Sequence, residues 1–348
     1  MTLQTSSYRA VTIVSICEEV PGVKTFTIAN EDGSAIPFAA GQFITFVFTH
    51  HGREDRRSFS ISSAPGEPLS FTVKRIDNGA YSRLLTDRAK TGDRLFTTGA
   101  AGLFTLPEDI TAYQQVMFFA AGIGITPILS LIKTLLNNQP ETQVTLIYSN
   151  RAKQEVVFFN ELQELLGWFS ARFKIEFLYS TSFNLVRARL NKALVPVLMH
   201  EYAIPKKDEI LCYVCGPFAY MRMVIWSLEE WGVPEDHIRR ENFNTNDRAI
   251  VRAQPPDTDV HNVTIIHQRQ QYTFPVQYPE TILQAAKKHG LILPYSCEVG
   301  RCGSCAARCT SGKVWLSYNE VLMDSDLRQG SILTCTGYAV AGDVVVVV

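Results

Sequence analysis

The chain has 348 residues, 46% hydrophobic and 19% charged, with 33 Lys and Arg against 34 Asp and Glu. That length exceeds what one hydrophobic core serves, so two or three domains are expected. The near balance of charge leaves no basic field for nucleic acid and no general pull towards anionic membranes, and no run approaches the ~20 apolar residues of a membrane-spanning helix.

The first residues, MTLQTSSYRAV, carry one Arg and no apolar stretch of the kind a secretory signal needs. Eight cysteines in a long chain without such a signal point to a reducing compartment, the cytoplasm, rather than to disulfides. Residues 1–108 hold short alternating runs, among them KTFTIAN, QFITFVFTH and LSFTVKRI, punctuated by Gly, Pro, Asn and Asp. This pattern predicts an antiparallel β-barrel with one helix, at 80–90. Residues 109–245 change character: apolar runs without alternation, such as QQVMFFAA and ILCYVCGP, are followed by helical patterns. A parallel sheet covered on both faces is expected there, an α/β domain. Residues 246–260, with paired prolines, read as a linker. Residues 261–348 begin as a hairpin and continue with a short helix closed by Gly290. They end in strands, the last of them VVVVV at 344–348.

Three motifs lie at strand ends in the second block. AAGIGITP places Gly122 and Gly124 between a strand and a helix, where a tight turn lets a pyrophosphate approach the helix N-terminus. Thr126 is expected to cap that helix and Pro127 to sit in its first turn. YVCGP puts Cys215, Gly216 and Pro217 at another C-terminal strand edge, where open α/β sheets bind ligands; Cys215 is placed to touch a nicotinamide ring, while Cys212 alternates into the core. Ser149, Asn150, Arg151 and Lys153 end a third strand. An acidic residue there would favour NAD; hydroxyl and guanidinium groups suit a 2′-phosphate, which leans the expectation to NADPH and leaves NADH open.

The third block contains CEVGRCGSC and ILTC. Cys297, Cys302 and Cys305 at C-x4-C-x2-C spacing, with Cys335 downstream, suit a plant-type [2Fe-2S] cluster and match paired zinc knuckles poorly. Gly300 and Gly303 let the backbone come close to the inorganic sulfides. His51, His261 and His267 are isolated and read as surface or structural residues.

In this order the motifs resemble a ferredoxin–NADP⁺ reductase-type module followed by a plant-type ferredoxin, over nearly the whole chain. That is the arrangement of reductase components of bacterial multicomponent oxygenases, and the chain resembles in particular the reductase subunits of phenylacetyl-CoA epoxidase systems. The resemblance implies FAD on the barrel and a β-grasp ferredoxin domain of α+β class. It implies that Arg57, Ser58, Phe59 and Ser60 form the flavin motif R-x-[YF]-S: Arg57 on a phosphate, Phe59 on the isoalloxazine, Ser60 near N5. Phe59 replaces the commoner Tyr and loses a phenolic hydrogen bond. Backbone at Thr72, Val73 and Lys74 would line the flavin. Gly79, Ala80, Tyr81 and Ser82 would form a second element, with Ser82 on a phosphate oxygen and a helix N-terminus towards the pyrophosphate. Phe243 would lie near the flavin until nicotinamide displaces it, making Ser60, Cys215 and Phe243 the residues at the reaction centre. Cys309 falls outside the implied ligand set. Electrons would run from NADPH through FAD and the cluster to an oxygenase, with di-iron phenylacetyl-CoA epoxidase subunits as the expected partner. Ring-hydroxylating, ketosteroid or alkane oxygenases, or a non-enzymatic electron carrier, are the alternatives.

Overall fold

The computed structural model describes residues 8–50, 53–204, 206–243 and 253–348. Among these, alternating apolar side chains build an antiparallel sheet from β1 (Arg9–Val20), β2 (Val23–Asn30), β3 (Phe43–His50), β4 (Arg53–Ser60), β5 (Ser70–Lys74) and β6 (Arg94–Ala101). The strand order is β4-β3-β6-β1-β2-β5. The edges meet where Ile61 bridges Phe71 and the Ser62 N–H donates to the Ser70 carbonyl at 2.8 Å. The sheet thereby closes into the expected barrel. Phe26, Phe46 and Phe71 fill it, with centroids 4.7 Å apart for Phe46–Phe71 and 5.3 Å for Phe26–Phe71. The helix expected over 80–90 is shorter: α1 (Ala80–Arg83) widens into a π-turn over Leu84–Arg88. There the Thr86 hydroxyl donates to the Ser82 carbonyl and Leu85 anchors in the barrel core.

The second sheet is parallel throughout: β7 (Gln115–Ala121), β8 (Gln143–Asn150), β9 (Phe173–Tyr179), β10 (Ile210–Cys215) and β11 (Ile238–Glu241), in the order β11-β10-β7-β8-β9. Helices α2 (Ile125–Asn138), α3 (Phe159–Trp168), α4 (Leu194–Tyr202) and α5 (Phe218–Trp231) accompany it. Strand β10 shows why both faces are covered. Leu211, Tyr213 and Cys215 enter the core shared with α2 and α3, while Cys212 and Val214 enter the core shared with α4 and α5. Side chains alternate across a strand, so an unbroken apolar run needs a partner on each side.

Barrel and parallel sheet pack as one unit that ends at Asn242. Tyr213 donates its hydroxyl proton to the Thr105 carbonyl at 2.7 Å, and Ser130 on α2 donates to the Ser63 carbonyl at 2.6 Å. The buried Lys133 ammonium bridges Glu67 at 2.7 Å and Glu161 at 3.0 Å.

Phe243–Val348 form the second unit. Residues 246–252 of the expected linker, and His51, lie outside the described residues. Here β12 (His261–His267), β13 (Gln270–Val276), β14 (Ala306–Leu316), β15 (Ser331–Leu333) and β16 (Gly337–Val347) pair in the order β13-β12-β16-β14-β15, with β12 and β16 parallel and the other pairs antiparallel. Two helices, α6 (Ile282–Lys288) and α7 (Asp324–Arg328), complete it. Thr281 and Gln284 form a capping box at the start of α6. Gly290, at φ +75°, ends the helix as expected, with its N–H on the Lys287 carbonyl and that of Leu291 on Ala286. The valine-rich segment becomes β16, and its inward residues Val344 and Val346 are buried. Among the described residues no helix is long and apolar enough to cross a membrane.

Gly41 tests the packing of barrel on sheet. It holds φ +86°, and a Cβ there would lie 1.9 Å from the Phe104 carbonyl oxygen. Gly41→Ala should cost more than the about 1–2 kcal/mol of a left-handed residue alone. Gly33→Ala, at φ +73° with nothing within 4 Å, should cost no more than that. Urea unfolding midpoints compare the two.

Candidate functional site

Strand register assembles the first site. Cys215 pairs with Ala120 on one side and Glu241 on the other, and Ala121 pairs with Ser149. The C-terminal edge of the parallel sheet thus gathers every strand-end motif of the second block. After β7 the chain makes a 3-10 turn over Gly122–Gly124 and runs directly into α2. Gly122 takes φ +54°, and its carbonyl accepts from the buried Tyr148 hydroxyl at 3.0 Å. A Cβ on Gly124 would lie 2.2 Å from the Cys215 carbonyl oxygen, and one on Gly216 would lie 2.9 Å from the Ala121 Cβ. The close approach that Gly124 permits is therefore between two turns of the protein. Thr126 does not cap α2; the 3-10 turn already leads into the helix, and the Thr126 hydroxyl donates back to the Ile123 carbonyl at 2.8 Å. Pro127 does occupy the first turn, and Pro217 precedes α5 directly. Cys215 is fully buried, and burial, then the neighbouring Glu241, push its thiol well above the usual range. It is a neutral packing surface, not a nucleophile.

The barrel reaches this edge through Ser60, at the end of β4, whose hydroxyl donates to Glu241 Oε2 at 3.2 Å. Burial pushes the Glu241 carboxyl up to about 8, while the Ser60 hydrogen bond pulls the other way. No motif in the sequence singles out Glu241. The pairing of Cys215 with Glu241 reveals it, and a four-residue strand in a polar context gave little local sign. Phe243 is 44% exposed and opens the second unit.

The other barrel residues cluster around β3 to β5. The exposed Arg57 guanidinium lies 5.0 Å from the Tyr81 ring centroid and donates to the Arg56 carbonyl. Tyr81 in turn donates to Asp55 at 2.6 Å. The Ser58 and Thr45 hydroxyls are bonded at 2.9 Å. Phe59 is half-buried, with its ring tilted against Phe46 and Phe71. Thr72 and Val73 are buried and Lys74 is exposed. The Ser82 hydroxyl accepts from the Ile76 N–H and donates to the Gly79 carbonyl, closing its own turn. A Cβ on Gly79 would lie 2.4 Å from that hydroxyl, and Ala80 begins a helix of only four residues.

At the end of β8, Ser149 and Asn150 are followed by exposed Arg151 and Lys153. The ion-pair partner of Arg151, Glu155, stands off at 3.9 Å, and Lys153 lies over the Phe159 ring at 5.1 Å. Exposed pairs at such distances contribute little, so the Arg151 charge is available to an anion.

The second site lies in the other unit. Its four thiols form two pairs: Cys305 and Cys335 with sulfurs 3.1 Å apart, and Cys297 hydrogen-bonded to Cys302. The charge of Cys297 is felt at both Cys305 and Cys335, so the pairs face a common space. Among the described residues no three His, Cys, Asp or Glu side chains converge on a single metal-sized point. Two thiolates for each of two irons is the donor set of a bridged cluster. Backbone N–H groups of Val299, Arg301 and Cys302 point at the Cys297 sulfur and that of Gly300 at Cys335. With the bond from Cys302 they bring Cys297 down to about 6. Gly300 and Gly303 take φ +77° and +71°, which aims these donors inward. The residues present therefore fit the cluster. Cys309 points elsewhere, donating to the Ser311 carbonyl on β14.

A closed antiparallel barrel, a parallel α/β sheet and a cysteine-bearing mixed sheet have the architecture of an NAD(P)H-dependent flavin and iron–sulfur oxidoreductase. Residues 118–225 match the oxidoreductase NAD-binding domain family, and residues 265–340 match the 2Fe-2S iron-sulfur cluster binding domain family. A component of the 1,2-phenylacetyl-CoA epoxidase of Escherichia coli is 29% identical, over 98% of each chain. The ferredoxin reductase component of 3-ketosteroid-9-alpha-monooxygenase from Mycobacterium tuberculosis is 30% identical, over 93% of this chain and 91% of its own. The structure of phthalate dioxygenase reductase, described as modular for electron transfer from pyridine nucleotides to [2Fe-2S], superposes with a TM-score of 0.61 and 25% identity over the full length of both chains. The chain belongs to the ferredoxin–NADP⁺ reductase-like family whose members carry a C-terminal [2Fe-2S] domain.

Glu241 gives this site a pH signature. Its folded carboxyl is raised from 4.5 to about 8, so between those values the folded state holds a proton that the unfolded state has released. Its contribution to stability is complete below about 4.5 and is lost as pH rises through 8. Glu241→Gln should therefore gain stability relative to the parent progressively from about pH 5 to 8, then level off. Denaturation of the first unit, followed across that range, checks the trend.

Proposed function

We propose that this protein takes electrons from NADPH and delivers them to an oxygenase component, using FAD held on the barrel and a [2Fe-2S] cluster held by Cys297, Cys302, Cys305 and Cys335. The observation that carries this reading is the Ser60–Glu241 hydrogen bond. It brings the flavin motif of the barrel within one bond of the nucleotide edge of the parallel sheet. Flavin, when bound, supplies the conversion of a two-electron hydride into single electrons that a cluster accepts. The chain's task is to position and to exclude. Phe59 offers a flat stacking surface, Arg57 an exposed fork for phosphate. Cys215, buried and neutral, shapes the place for the nicotinamide without reacting. The Glu241 carboxyl, raised to about 8, keeps its proton near neutral pH while its Oε2 accepts from Ser60, so this edge can keep or release a proton without a free imidazole. Arg151 and Lys153 hold the 2′-phosphate.

The oxygenase proposed is the phenylacetyl-CoA epoxidase, from the full-length likeness to a component of that system. The ketosteroid relative stands at nearly the same identity, so product formation with each purified oxygenase and NADPH decides between them. A cluster held by four unpaired thiolates suits a reducing compartment, the cytoplasm.

Purified protein should contain about one FAD, two irons and two labile sulfides per chain. Zinc without iron would overturn the reading. Cys335→Ser should lose the cluster, because a hard hydroxyl replaces a soft thiolate, while hydride uptake by the flavin survives. Cys309→Ser should keep the cluster's EPR signal. Arg151→Ala should raise KM for NADPH about tenfold to a hundredfold, the loss of one charged hydrogen bond, and leave KM for NADH nearly unchanged. Steady-state kinetics with ferricyanide measure both; equal losses would assign Arg151 to the shared nucleotide pocket.

A further inference from the structure

Arg301 stands between two cluster ligands in sequence, next to Cys302, yet its side chain is buried rather than turned to solvent. Its Nε lies 2.7 Å from Glu320 Oε2, and the side chains of the pair are 8% and 12% exposed. The Tyr318 hydroxyl donates to the same Glu320 oxygen at 3.1 Å, and the guanidinium carbon lies 5.7 Å from the Tyr318 ring centroid. The backbone repeats the attachment. The Glu320 N–H donates to the Gly300 carbonyl at 3.1 Å, the Ser317 N–H to the Thr336 carbonyl at 2.9 Å, and the Thr336 hydroxyl to the Tyr318 carbonyl at 2.8 Å. Residues 317–320 thus strap the loop that carries Cys302 to the segment that carries Cys335.

A buried ion pair costs desolvation that its mutual attraction only partly offsets, so retention of one beside a charged cofactor needs a reason beyond stability. We propose that Glu320 is a positioning residue that compensates the Arg301 charge and so sets the reduction potential of the [2Fe-2S] cluster. Reduction adds one electron to a centre already carrying four thiolates. An uncompensated guanidinium next to Cys302 favours that extra negative charge, and an uncompensated carboxylate opposes it. With both present the fields largely cancel. The chain keeps the strap's rigidity without the potential shift that either charge alone would impose. This rests on the assignment of the four cysteines as cluster ligands.

The test is a potentiometric titration of the full chain, followed by EPR, in the parent and in Glu320→Gln, Arg301→Met, Arg301→Lys and the Arg301→Met/Glu320→Gln double variant. Glu320→Gln should raise the midpoint, with about a tenfold higher ratio of reduced to oxidised cluster at a fixed potential, or about 59 mV for one electron. Arg301→Met should lower it by a similar amount. The double variant and Arg301→Lys should return close to the parent. Single variants that shift together, or not at all, would overturn the proposal. If Arg301→Met does not hold its cluster, Glu320→Gln and Arg301→Lys carry the comparison. Loss of the cluster from the double variant, in which neither charge is left without its counterion, would make the pair a structural requirement and also overturn it. Iron and sulfide content of the parent reports separately on the ligand assignment.

Discussion

Where the turn after β7 meets the turn after β10, main chain lies against main chain. The Cys215 carbonyl fills the space that a side chain on Gly124 would need. That contact brings two strand ends to one level and starts α2 and α5 side by side. Tyrosine hydroxyls lock it from both flanks, Tyr148 on the Gly122 carbonyl and Tyr220 on the Ala120 carbonyl. The consequences run outward along α2. Its Ser130 and Lys133 reach the barrel at Ser63 and Glu67, so the direction in which α2 leaves the turn governs how the barrel is seated. Only with the barrel so seated does Ser60 meet Glu241. A contact with no side-chain chemistry of its own thus governs the geometry of the site.

Adjacent residues of one type can have opposite duties, as Arg56 and Arg57 do. Strand alternation puts them on opposite faces: Arg56, opposite Val47, is buried and pairs with Glu54 at 2.8 Å, whereas Arg57, opposite Phe46, is exposed beside the Tyr81 ring. One guanidinium is consumed by the fold and the other is left for an anion. A similar division separates Lys133, buried between two carboxylates, from Lys153, exposed over an aromatic ring.

The parts legible in the sequence share a feature: their signal is local. Alternation marked the barrel strands, unbroken apolar runs marked the parallel strands, and cysteine spacing marked the cluster loop. What sequence reading missed depends on distant or unusual geometry. Helix α4 contains Pro196, tolerated because it falls in the first turn, where its missing N–H has no intrahelical partner to lose. The β12–β13 hairpin was expected, but not its turn conformation: Gln268 and Arg269 are both at positive φ, without the glycine or asparagine that usually announces such a turn. Thr126 offered a hydroxyl at a plausible cap position, but that hydroxyl bonds back to the Ile123 carbonyl within its own turn. Glu241 meets Ser60 across 181 residues of sequence, a separation over which no periodicity or motif gives warning.

Strand β16 lies in the middle of its sheet, between β12 and β14, and is the last of the five to be synthesised. Until it emerges from the ribosome, β12 and β14 have no shared neighbour, and the half-built sheet exposes main-chain groups on both sides of the gap. The first unit has no such wait, since all of its strands precede residue 242. The order of synthesis therefore favours folding of the nucleotide module during translation, whereas the sheet around Cys297, Cys302, Cys305 and Cys335 is complete only once residues 337–347 lie between their neighbours.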